Sequence, residues 1–215
     1  MNEKLYDFII DKQHHKYRRT VAWDLAREYS ENGLTPIERM ADRFERLCNE
    51  ERTVILDGEQ IVFMRTVANL PAIFTEDEWA EINKKHHIHE LGFMSNLSPD
   101  YYDTIAAGLL EKRRTADEYG KRAIDNIIAL SDKYRAEAER IGRTDIAEVL
   151  KQVPRYPARS FREALQFFRI LHFALWLEGN YHNTIGRLDK YIYPYLKKDI
   201  ESGVLDRNSA LELLE

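Results

Sequence analysis

The spacing of apolar positions along this chain is helical almost throughout. After Thr35, residues Ile37, Met40, Ala41, Phe44 and Leu47 recur every three or four positions, which lines one face of an α-helix. Over residues 117–141 a long charged segment carries Ala123, Ile124, Ile127, Ile128 and Tyr134 on one stripe. Over 160–177 the chain is apolar nearly all round, the pattern of a buried helix. Only residues 53–63 break the rule: β-branched runs flank Asp57-Gly58, which predicts a small β-hairpin. Helix starts are marked by three capping boxes, Thr35 with Glu38, Thr75 with Glu78 and Ser160 with Glu163. Ser98-Pro99-Asp100 predicts a fourth start, with Pro just inside the cap. Residues 69–72 and 153–157 read as loops, and no repeat or flexible linker divides the chain. The expectation is one mainly α-helical unit with a small β-hairpin.

Composition narrows the function classes. A chain of 215 residues can bury a sizeable core. Its net charge of -5 supplies no electrostatic reason to bind nucleic acid or an anionic membrane. A lone cysteine, Cys48, excludes an internal disulfide framework and suits a reducing cytoplasm. The first residues, Met-Asn-Glu-Lys-Leu-Tyr-Asp, lack the apolar core of a signal peptide. The greasiest stretch is interrupted by Gln166, Arg169 and His172 and is too short to span a bilayer. A cytoplasmic protein without an anchor is expected.

Several side-chain groups could carry chemistry. Cys48 falls late in an amphipathic helix with Glu50 and Glu51 after it, where a thiolate is disfavoured and a small packed hydrophobe is the expectation. His86, His87, His89 and Glu90 lie close together, but zinc needs three or four well-placed ligands and no HExxH or CxxC partner exists, so no metal is assigned. No P-loop or GxGxxG occurs. Directly after the greasiest helix, Glu178, Tyr181, His182 and Asn183 gather a carboxylate, a phenol, an imidazole and an amide; they line a polar pocket or satisfy the helix's last carbonyls. Arg187 and Asp189 precede a Tyr-rich helix (Tyr191, Tyr193, Tyr195) and read as a structural pair. Arg155 and Arg159 are planar forks for an anion or ordinary surface arginines.

An ordered series of motifs resembles the N-terminal part of the glycyl radical enzymes, the family of pyruvate formate-lyase and the radical diol, choline and hydroxyproline lyases. Its pieces are Glu59-Gln60-Ile61-Val62, the stretch from Phe74 to Trp79, Ser98-Pro99-Asp100-Tyr101-Tyr102 through Gly108-Leu109, and Val153 to Gln166. The most specific is Gly186-Arg187-Leu188-Asp189, followed by Tyr193-Pro194-Tyr195, Asp199, Gly203 and Leu205-Asp206. The resemblance implies that residues 1–215 are the N-terminal portion of a ten-stranded α/β barrel enzyme, supplying outer helices and early barrel elements.

It also implies a glycyl radical in a C-terminal loop, installed by a partner radical-SAM activating enzyme, and a mid-chain cysteine that relays the radical to substrate. None of the nine glycines stands in an Arg-Val-x-Gly-aromatic context, and Cys48 lacks a Gly-Cys-Val/Ile-Glu surround. No catalytic residue and no bound cofactor is therefore assigned to this chain. By the resemblance, residues just before the Gly-Arg-x-Asp motif touch substrate, which points to Tyr181, His182 and Asn183, with Gly186, Arg187 and Asp189 as the structural motif. Asn96 joins the candidates because a histidine is common at that position. That change, a shorter 178–186 segment and Ile185 in place of the usual Pro argue against a diol or hydroxyproline substrate.

The expected function is a fragment of a radical lyase or dehydratase acting on a small polar metabolite in an anaerobe, not self-sufficient in catalysis. A companion chain carrying the missing barrel and a homodimer are both compatible with it. Three alternatives stand beside it: a non-catalytic helical accessory subunit or remnant, a pyruvate formate-lyase-type acyltransferase fragment, and a metal-dependent hydrolase built on the histidines.

Overall fold

A computed structural model describes residues 3–86 and 97–215. Its described residues form eleven α-helices: α1 (Glu3–Ile10), α2 (Leu25–Glu31), α3 (Pro36–Glu50), α4 (Glu76–Lys85), α5 (Tyr101–Ala107), α6 (Leu109–Thr115), α7 (Glu118–Arg140), α8 (Thr144–Gln152), α9 (Phe161–Leu177), α10 (Leu188–Glu201) and α11 (Arg207–Leu214). A 3₁₀ turn spans Gln13–Tyr17. No described helix is long and apolar enough to cross a membrane.

Helix α9 holds the fold together, because its all-round apolar surface serves two cores at once. On one side Ile170, Phe173 and Leu177 pack with Leu47 of α3, Tyr134 of α7 and Leu150 of α8. On the other, Phe161, Ala164 and Phe167 pack with Ile105 of α5, Ile192 of α10 and Leu213 of α11. The three polar residues interrupting α9, spaced three apart, each hold a neighbouring segment. The Gln166 amide exchanges hydrogen bonds with the Val62 backbone (2.9 and 3.2 Å), Arg169 Nη2 donates to Phe63 O at 2.6 Å, and His172 meets Tyr101.

These bonds explain why the expected β-hairpin is absent. Residues 53–63 contain the Asp57-Gly58 turn but no strand, and the described residues show only two isolated bridges, Arg19 with Val67 and Leu97 with Asn183. The segment's polar backbone groups are bound by side chains instead of by a facing strand. Arg143 Nη2 donates to Glu59 O (2.6 Å), Arg162 Nη2 to Gln60 O (3.1 Å) and Met64 N to Tyr134 Oη (3.2 Å).

The cap signals locate three helix starts. Thr35 N donates to Glu38 (2.7 Å) and Thr75 N to Glu78 (2.8 Å), the reciprocal half of each capping box. At the third, Glu163 N reaches Ser160 Oγ (3.2 Å), but the Glu163 carboxylate accepts from Arg159 N instead of the cap residue. The fourth start shifts: Asp100, not Ser98, caps α5, accepting from Asp103 N at 3.1 Å.

The apolar stripe read on α3 is also corrected. Ile37 and Met40 are both 46% exposed, while the buried face carries Arg39, Arg43, Phe44, Leu47 and Cys48. The two arginines go inward because backbone carbonyls and carboxylates meet them there. Arg39 donates to Leu34 O (2.8 Å), Ile73 O (2.9 Å) and both oxygens of Glu78 (2.8 and 2.9 Å); Arg43 donates to Pro71 O (3.2 Å) and Glu178 (3.0 Å).

Candidate functional site

The loop from Glu178 to Arg187 leaves the C-terminus of α9 and enters α10. Two contacts fix its course. Asn183 bridges Leu97, with Thr184 N donating to Leu97 O at 3.0 Å, and Tyr191 Oη donates to Ile185 O at 2.8 Å. The polar segment after α9 is thus set beside the chain that enters α5.

At the head of the loop, one Glu178 oxygen accepts from Arg43 while the other is buried with no partner. Burial pushes the Glu178 carboxyl up, and Arg43 pulls it part of the way back. The Tyr181 ring is half-exposed and lies over the Arg65 guanidinium, 5.6 Å from its carbon, and Tyr181 Oη accepts from Arg65 Nη1 at 3.2 Å. His182 is exposed. Asn183 Nδ2 donates to Asn180 O, while Asn183 Oδ1 is buried and unpartnered.

Gly186 sits at φ 60° with its N–H on Thr184 Oγ1 (3.0 Å), a left-handed turn that aims the chain into α10. Arg187 and Asp189 pair bidentately at 2.8 and 2.5 Å on the surface. The structure therefore carries Tyr181, His182, Asn183, Gly186 and Arg187 on one loop, with Asp189 in the first turn of α10. Asn96 lies outside the described residues, as do His87, His89 and Glu90.

Below the loop is a cleft of about 260 Å³ lined by Pro99, Tyr101, Ile185, Arg187, Lys190 and Tyr191 among others. One of its lining residues, Tyr101, makes a contact that was not read from the sequence: Tyr101 Oη and His172 Nδ1 lie 3.0 Å apart. Burial raises the Tyr101 phenol to about 12. Burial, then the nearby Arg169 charge, lowers the His172 imidazole. A neutral phenol and a neutral imidazole share this bond near pH 7, its direction following the imidazole's tautomer. The signal that could have found the pair was His172 itself, one of the polar residues that interrupt the apolar run of α9.

The other candidates separate from this loop. His86 is the C-cap of α4, in extended backbone, and no group of three His, Cys, Asp or Glu side chains among the described residues is placed to hold a metal. Arg155 pairs with Asp132 of α7, and Arg159 with Glu163 at 2.7 Å. Cys48 is 3% exposed; burial, reinforced by Glu178 and Glu51, pushes its thiol well above the usual range.

Residues 83–215 match the family described as pyruvate formate lyase-like, and the chain belongs to that family. Two relatives are trans-4-hydroxy-L-proline dehydratase of Clostridioides difficile and isethionate sulfite-lyase of Oleidesulfovibrio alaskensis. The first is 33% identical over 98 residues, covering 45% of this chain and 12% of the relative. The second is 38% identical over 103 residues, covering 46% and 12%. The solved structure of an enzyme of 1,2-propanediol dehydration from Roseburia inulinivorans superimposes with a TM-score of 0.68 at 23% identity, over 88% of this chain and 34% of that one. The chain thus has the fold of about a third of that enzyme, and its relatives are glycyl radical dehydratases and lyases.

Proposed function

We propose that this chain is the N-terminal portion of a glycyl radical lyase or dehydratase acting on a small polar metabolite, with the 181–183 loop as its contribution to the substrate pocket. The observation that carries this reading is the pair of buried, unpartnered polar atoms on the 178–187 loop, Glu178 Oε1 and Asn183 Oδ1, in a chain whose relatives are radical dehydratases and lyases; further along the same loop, Ile185 and Arg187 line the cleft. A buried acceptor without a donor is costly, and a ligand's hydroxyl or amine would relieve it.

Catalysis would need groups that these residues do not supply. The radical chemistry abstracts hydrogen from substrate through a cysteine beside a radical glycine, and Cys48 is packed inside the core as a protonated thiol. Gly33, Gly58, Gly142, Gly186 and Gly203 sit at open turns, with nothing within 4 Å of a Cβ position to shelter a carbon radical. The helices described here act as outer and early elements of a barrel completed elsewhere. The partners of this reading are a radical-SAM activating enzyme and the remainder of the barrel, in an anaerobic cytoplasm. The departures at Asn96 and around Ile185 favour a substrate other than a diol or hydroxyproline.

A second reading, a non-catalytic accessory subunit, draws on the open groove of about 520 Å³ between α10 and α11, where Tyr193, Ile200, Leu211 and Leu214 are 56%, 39%, 54% and 53% exposed. The acyltransferase alternative has no observation in its favour. Paramagnetic resonance after incubation with a radical-SAM activase separates these readings. The chain alone should give no glycyl doublet. A companion chain carrying Gly-Cys-x-Glu and Arg-Val-x-Gly motifs should give the doublet and, only with this chain present, turnover. A doublet from the isolated chain overturns the fragment reading, and turnover independent of it favours the accessory one.

A further inference from the structure

Arg65 touches the 181–183 loop through Tyr181, and its guanidinium is only partly used. Nε donates to Val67 O at 2.8 Å, which fixes the plane of the fork, and Nη1 gives one N–H to Tyr181 Oη at 3.2 Å. Nη2 is buried with no acceptor. Of the five N–H groups of an arginine, three are left over, one on Nη1 and both on Nη2, and a planar anion is gripped by a guanidinium through two parallel bonds of this kind.

The charge has no ion-pair partner among the described residues. The nearby Glu51 carboxylate uses both oxygens on Thr66 N (2.7 Å), Thr66 Oγ1 (2.5 Å) and Val67 N (3.0 Å). The Tyr181 ring lies against the guanidinium and is itself 51% exposed, so it can swing aside with little loss of packing. The same loop carries the unfilled acceptor Asn183 Oδ1, which suits a hydroxyl donor.

We infer that Arg65 anchors the anionic end of the loop's ligand, so that the site takes a small hydroxy-carboxylate or hydroxy-sulfonate and rejects the neutral polyol of the same size. This rests on the reading of residues 181–183 as a substrate segment. Arg65 is a binding and specificity residue here, and no chemical step is assigned to it.

The test is a titration of the ¹⁵N-labelled chain, followed at the Arg65 Nε–Hε resonance, at constant ionic strength in sodium chloride. The probes are glycolate and its neutral counterpart ethylene glycol. Glycolate should shift the resonance saturably, ethylene glycol should not, and R65Q should weaken glycolate by more than about tenfold. R65K keeps the charge but offers no planar fork, so it should also weaken binding, and it carries the comparison if R65Q does not fold.

Failure of glycolate to saturate, or equal affinity in the Arg65 variants, overturns the inference. Binding that needs Arg65 but is indifferent to H182A and N183A leaves the anion site standing and removes the loop from the substrate pocket. Ethylene glycol bound through Asn183, equally well in R65Q, does the reverse.

Discussion

Gly108 joins α5 to α6 at φ 83° and ψ 153°, a region that side chains rarely enter. It is also pressed against residues 154–156. A Cβ added there would lie 2.6 Å from Arg155 O, 2.7 Å from Tyr156 C and 2.8 Å from Tyr156 Cα, all backbone atoms that cannot rotate away. For Gly108→Ala, holding the strained backbone costs about 1–3 kcal/mol. To relieve the clash the loop must retreat. That pulls Pro154 O and Arg155 O from Leu109 N (2.9 Å) and Leu110 N (3.1 Å), the bonds that satisfy the first amides of α6.

Each of those bonds is worth about 0.5–1.5 kcal/mol, so the total falls at roughly 2–6 kcal/mol. In a chain of this size that lowers the melting temperature by roughly 4–24 °C. Gly142→Ala is the control, because Gly142 has a similar φ of 77° but nothing within 4 Å of the added Cβ. It should lose only the backbone share, about 1–2 kcal/mol. Urea unfolding followed by circular dichroism measures both. If the two variants agree within about 0.5 kcal/mol, close approach is not what demands glycine at 108.

Burial raises Glu59 to about 7, against the pull of Arg169 and Arg143, so the folded chain binds an extra proton between its ordinary pKa and that value. Stability should therefore fall as pH rises from about 4.5 to about 7, and Glu59→Gln should flatten that limb of the unfolding free energy; an unchanged slope removes Glu59 as its source. Arg39 holds Glu78 down at about 2, which has the opposite sign: stability should be lost as pH drops toward 2. Arg39→Ala, leaving buried carbonyls and Glu78 unpaired, should cost about 3–5 kcal/mol in urea unfolding and remove most of that acid limb. Cys48 should resist Ellman's reagent at pH 8 and react only at the rate of unfolding; fast labelling of the native chain would show that the α3–α9 contact opens.

The long helices were readable because each carries its own instructions. Asp117 and Ile141 flank α7 at the predicted bounds, and the side chain of Asp117 accepts from Gly120 N at 2.7 Å, a contact three residues away in sequence. The hairpin was misread because the turn signal of Asp57-Gly58 is equally local, whereas the partner that replaced the second strand, Gln166, is 104 residues distant from Val62. A strand pattern says only that backbone groups want partners. It does not say whether a strand or an arginine and glutamine from α9 will supply them.

The same distinction governs the site. The 178–187 loop was readable as polar chemistry placed after an apolar helix, yet its meaning lies in atoms brought from afar: Arg43 to Glu178 across 135 residues, Arg65 to Tyr181 across 116, His172 to Tyr101 across 71. Arg39 and Arg43 make the point most sharply, since by spacing alone they read as the solvent face of α3. What sends them inward is the supply of carbonyls from the 71–73 loop and carboxylates from Glu78 and Glu178. Buried arginine is tolerated only where nearly every N–H finds an acceptor. Arg39 meets that condition with four bonds, whereas Arg65 leaves Nη2 without an acceptor, and that unfilled donor beside Tyr181 is what the inferred anion anchor is built on.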